Sequence, residues 1–161
     1  MDRLLTLFEQ EKLVPRQNGV LAIQGISEGV CNVVAGGLMD VAPQSIRDIG
    51  NYHGPYKVSP RRFSKEPYGL VSRQDDPQWN AFLYWVVSAT IYAEEQGITK
   101  ATEYRMPIVN LFGRQHATFL RNVVKAVGSY EEIYERNVAN VIRRSGLNMP
   151  NTGGPLFLVP D

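Results

Sequence analysis

The chain has 161 residues, 43% of them hydrophobic and 20% charged, with 17 basic residues against 16 acidic ones. That length suits one domain or two small lobes, and that composition belongs to a folded chain rather than a disordered one. The near-cancelling charge excludes the broad electrostatic attraction on which nonspecific binding to nucleic acid or anionic membrane depends.

In chain order, Asp2 can cap a first helix running to about Lys12, with Leu4, Leu5, Leu7 and Phe8 on one side and Pro15 ending the pattern. The same stretch is too short in its apolar run, and too closely flanked by acids, to read as a signal peptide. Val20 to Ile23 reads as a short strand and Ser27 to Val30 as a turn. Cys31 to Ala35 reads as a second, central strand ending at Gly36 and Gly37. Pro43 to Ile49 reads as a short helix, followed by loop over Asn51 to Arg62, and Tyr68 to Val71 as a third strand. Short strands alternating with helices predict an α/β fold with a small, mostly parallel sheet.

From Asp76 the pattern becomes helical. Asp76 followed by Pro77 is an N-cap with proline at the first helical position, and Gly97 is the stop. Phe82, Trp85, Val86, Ala89 and Ala93 follow the helical period, while Leu83, Val87 and Ile91 widen the apolar stripe. A helix apolar over so much of its circumference is expected to be buried on more than one side. The uncharged stretch from Ala81 to Ala93 is well short of the roughly 20 residues that span a bilayer. Further helical pieces are expected over Thr102 to Met106, Gln115 to Val127 and Tyr130 to Arg144, then an extended apolar tail from Gly153 to Pro160.

Side chains that could carry chemistry are few. His53 and His116 have no partner at metal-ligand spacing, and the single cysteine, Cys31, can form neither an internal disulfide nor a cysteine metal site. No phosphate-cradling glycine loop or nucleophile elbow occurs. No enzyme, cofactor or metal is therefore expected. Glu94 and Glu95 are adjacent on a helix, face different directions and are not a catalytic dyad. The pairs Arg61–Arg62 and Arg143–Arg144 read as solvated surface charges. Gly36 and Gly37 mark a place where the backbone can approach a ligand closely.

The segment Ser64-Lys65-Glu66-Pro67-Tyr68-Gly69-Leu70-Val71-Ser72-Arg73 leads to Asp75-Asp76-Pro77-Gln78-Trp79, and the long helix ends Ala93-Glu94-Glu95-Gln96-Gly97-Ile98-Thr99. Together with Gly29-Val30-Cys31-Asn32, Val127-Gly128-Ser129-Tyr130-Glu131-Glu132, Ser145-Gly146-Leu147-Asn148 and Gly153-Gly154-Pro155, this resembles the general L-amino-acid solute-binding proteins of bacterial ABC transporters (extracellular solute-binding family 3). The resemblance runs from about Leu4 to the C-terminus and is most convincing from Ser64 onward.

That family is a two-lobe clamp closing on an amino acid. The resemblance implies that residues 1–73 correspond to second-lobe α/β structure and its hinge strand, and residues 74–161 to a helical portion packing on the first lobe. It also implies that the first lobe, and the turn whose N–H groups hold the ligand carboxylate, lie outside this chain. The family aspartate that pairs with the ligand amino group falls on Gly37, and Asn32 replaces the preceding acid, leaving Asp40 as the nearby substitute.

The expected ligand site is thus Gly36, Gly37 and Asp40, with an amino acid as ligand. The expected interface is Phe82, Trp85, Val86 and Ala89, covered by a lobe supplied in trans or by a second copy in a homo-oligomer. A repurposed protein–protein interaction subunit is the alternative, and a periplasmic or extracellular location follows from the resemblance.

Overall fold

The computed structural model describes residues 13–49, 51–61 and 68–150. The expected first helix and the apolar tail lie outside them. The chain divides into two units between Gly69 and Leu70.

The first unit holds α1 (Gly19–Ser27) and α2 (Pro43–Asp48). The expected parallel sheet is not there: among the described residues no strand forms. Val20 to Ile23 lies inside α1, because Asn18 caps the helix, its side chain accepting from the Leu21 N–H at 3.0 Å. A short apolar run fits a helix or a strand equally by pattern, and the cap decides. In α1, Ile23 is buried at 1% exposure while Val20 and Leu21 face outward.

The other two expected strands are irregular for a complementary reason. A strand needs a neighbour to satisfy its N–H and C=O groups, and no other strand occurs among the described residues. Cys31 instead donates its N–H to the Gly25 carbonyl, extending the end of α1, and Val33 projects into solvent. Tyr68, Leu70 and Val71 are likewise exposed. Among the described residues of this unit, Ala42 and Ile46 are buried with Ile23.

The second unit is built on α3 (Pro77–Glu95). Its start and stop follow the sequence. Asp76 accepts from the Trp79 N–H at 2.9 Å, Pro77 opens the first turn, and Gly97 takes a left-handed φ of 59°. The Ile98 N–H then reaches back to the Ala93 carbonyl at 2.7 Å, a Schellman closure that turns Ile98 into the core.

A 3-10 helix follows over Lys100–Arg105, started by a reciprocal Thr99–Thr102 capping box. The expected helix from Gln115 is split into a 3-10 turn, Arg114–His116, and α4 (Phe119–Val127). The last helix, α5 (Tyr130–Asn137), stops well before Arg144. There the Tyr134 carbonyl receives both the Val138 and Ala139 N–H groups, and the chain leaves the helix in turns.

The core lies where α3, α4 and the Lys100–Arg105 turn meet: Ala89, Ala93, Ile98, Met106, Val109, Leu120 and Val124. Small alanines on α3 let α4 approach closely. Each large side chain buried there contributes roughly 1.5–3 kcal/mol. Among the described residues, no helix is long and apolar enough to cross a membrane.

Candidate functional site

The turn from Gly36 to Asp40 closes on itself: the Asp40 and Val41 N–H groups both donate to the Gly37 carbonyl, at 3.0 and 3.1 Å. The Asp40 side chain folds back over the start of α1. A Cβ on Gly19 would stand 2.7 Å from Asp40 Cγ, so any larger residue there would have to push this side chain aside. A Cβ on Gly37 would stand 3.1 Å from Asp40 Oδ2 and 3.5 Å from the Tyr68 hydroxyl oxygen. Gly37, Asp40 and Tyr68 are therefore gathered in one place, with Gly36 beside them, and the Asp40 carboxyl is exposed. Such a carboxylate, next to the first turn of a helix and a phenol, can accept hydrogen bonds from a small ammonium group. The sequence argument did not single out Tyr68 or Gly19 for this place.

The four interface candidates on α3 divide by depth. Ala89 is buried at 2% exposure inside the unit's own core. Phe82, Trp85 and Val86, one to two turns earlier, are half-buried. Phe82 stacks on Trp79 with ring centroids 5.2 Å apart and packs against Phe119 at 5.3 Å and Phe112 at 6.0 Å. Trp85 meets Tyr84 edge to face at 5.3 Å. Trp79 and Tyr84 remain 49% and 55% exposed. The N-terminal half of α3 thus carries aromatic side chains, of which Trp79 and Tyr84 stay about half exposed among the described residues.

Two charged arrangements were not anticipated. Glu132 Oε2 accepts from the Ser129 and Lys100 N–H groups, both at 2.8 Å, tying the start of α5 to the start of the Lys100–Arg105 turn. Burial works against its charge. The Ser129 and Lys100 N–H groups, the Ser129 hydroxyl and the Arg136 guanidinium outweigh that and hold the carboxyl below its ordinary range.

Arg144 departs further from expectation: rather than a solvated charge it is one half of a largely buried ion pair with Glu94, Nη1 to Oε1 at 2.6 Å. Its partner is 50 residues away, so no local pattern could reveal it. Arg143 is exposed, and His53 and His116 lie at the surface. Cys31 is a free, half-buried thiol. Among the described residues, no three His, Cys, Asp or Glu side chains cluster as metal ligands.

Comparison with known proteins points in one direction. YhdW of Escherichia coli (strain K12), whose name assigns it provisionally to amino-acid ABC transporter binding, is 33% identical over 123 aligned positions. The general L-amino acid-binding periplasmic protein AapJ of Rhizobium johnstonii is 37% identical over 125. The glutamate/glutamine/aspartate/asparagine-binding protein BztA of Rhodobacter capsulatus is 30% identical over 122. In each case the match covers 64% of this chain but 36% of the relative, so the chain spans little more than a third of the curated relatives it matches. No family model and no solved structure matches the chain.

Proposed function

We propose that this chain, a relative of the amino-acid-binding proteins of ABC transporters, is one portion of an amino-acid clamp that binds its solute together with a further lobe. The relatives are named as binding proteins rather than enzymes, which supports a noncatalytic role, and the periplasmic AapJ supports a periplasmic location. In this reading residues 1–73 carry the ligand-facing and hinge portion, and residues 74–161 the helical portion that receives the other lobe. The half-exposed aromatic side chains of α3 are the observation that carries it, since exposed apolar surface of this kind favours an interaction site.

The Gly36–Asp40 turn is the proposed contact for the ligand amino group. Gly37 offers no carboxylate, and a buried ammonium without a counter-ion is costly by several kcal/mol, roughly. Asp40 lies against Gly37 and supplies that charge. Calorimetric titration with a panel of L-amino acids tests the proposal, with and without the unmatched portion of AapJ added in trans. Heat of binding that appears with the added portion, and is lost in Asp40→Asn, is expected. Silence across the panel under both conditions contradicts it.

A second reading has the same aromatic side chains pairing two copies of this chain, with solute binding lost. The 49% and 55% exposure of Trp79 and Tyr84 favours it. Sedimentation velocity separates the two, since a monomer at all concentrations removes this second reading.

A further inference from the structure

The dibasic pair at 143–144 splits in the fold. Arg143 is exposed, whereas the side chains of Arg144 and Glu94 keep only 11% and 6% of their surface. Arg144 donates from Nη1 to Glu94 Oε1 at 2.6 Å and from Nε to the Asn148 carbonyl at 2.7 Å. Its guanidinium carbon stands 5.4 Å from the ring centres of both Tyr130 and Tyr134.

We propose that Glu94, Tyr130 and Tyr134 form a guanidinium-binding cage, and that Arg144 is its resident ligand, latching residues 138–148 onto α3 and α5. The arrangement uses what distinguishes a guanidinium from an ammonium. Its flat faces meet aromatic rings, while its rigid in-plane N–H groups reach a carboxylate and a carbonyl in different directions. Two of the cage's supports lie outside the latched segment. The Schellman closure fixes the end of α3 that carries Glu94. The two tyrosines lie one helical turn apart on α5, with centroids 6.4 Å apart. The Tyr134 hydroxyl donates to the Ile142 carbonyl at 3.0 Å, a second tie on the latched segment. The cage does not depend on the amino-acid-binding proposal, since it lies entirely in the helical unit.

Arg144→Ala empties the cage. Hydrogen exchange over residues 138–148 is then expected to quicken by about tenfold or more, the loss that follows from removing charged hydrogen bonds. Low-millimolar methylguanidinium is expected to raise the thermal midpoint of Arg144→Ala, relative to potassium chloride at equal ionic strength. It should not raise the midpoint of the wild type, whose cage is filled, or of Glu94→Gln/Arg144→Ala, whose cage lacks its carboxylate. The same response in the single and double variants overturns the proposal. Should Arg144→Ala not fold, Arg144→Lys serves: an ammonium can reach Glu94 but cannot also stack and hold Asn148. Faster exchange near Asn148 supports the cage, and wild-type exchange there overturns it.

Discussion

The two units of this chain are held together by different means. The helical unit buries Ala89, Ala93, Ile98, Met106, Val109, Leu120, Val124 and Tyr134 around α3. It also ties its segments with Glu132 and Arg144, whose partners lie 32 and 50 residues away. Among its described residues the first unit buries the apolar side chains of Ile23, Ala42 and Ile46, and most of the hydrogen bonds there are local turns and caps. Among the described residues the difference is one of means: a packed core in one unit, mainly local caps and turns in the other.

The sharpest test of that contrast is a pair of cavities. Leu120→Ala removes a side chain that is 1% exposed at the centre of the helical core, and should cost roughly 2–5 kcal/mol in chemical denaturation. Ile23→Ala, equally buried, should fall at the low end of that range, about 2 kcal/mol, because fewer of the described side chains in its unit are buried. Equal losses would break the comparison.

A smaller effect is expected at the cap. Asn18→Ala removes the acceptor of the Leu21 N–H and should cost about 1 kcal/mol, read as faster hydrogen exchange in the first turn of α1. If local order in this unit rests on caps, exchange in α1 changes while that in α3 does not.

The pH dependence belongs to the helical unit. The Glu132 carboxyl is held below its ordinary value of 4.5, so the unfolded chain binds its proton first as pH falls. Its stabilising contribution is therefore complete above about pH 4.5 and disappears as pH drops through the lower folded value. Glu132→Gln should lower the thermal midpoint at neutral pH by a few degrees and flatten the loss on acidification. An unchanged acid profile would remove Glu132 from the account.

How far the sequence reveals the molecule also differs between the units. Every boundary signal of α3 is local, Asp76 and Pro77 at one end and Gly97 at the other, and the helix has those ends. Val20 to Ile23 and Cys31 to Ala35 suggest strands in the sequence because runs of four or five residues carry no period of their own. Asn18, just upstream, decided the first of them. The closeness of Asp40 to Gly37 was foreseeable from their spacing, but the packing of Gly19 and Tyr68 around them was not. Arg144 looked like a surface charge because its neighbour Arg143 is one, while Glu94 and the tyrosines reach it only through the tertiary fold. The resemblance to amino-acid-binding proteins was legible in several motifs occurring in order, and the relatives bear it out.

The central claim is that amino-acid binding requires a second lobe seated on the aromatic half of α3, and Trp79→Asp tests it most directly. Trp79 is three residues past the N-cap Asp76, where an acid favours the helix dipole, so the change alters the surface with little cost to the helix. Calorimetry with L-amino acids and the unmatched portion of AapJ in trans should give binding heat with the wild type and none with Trp79→Asp. Equal heats from both would contradict the account.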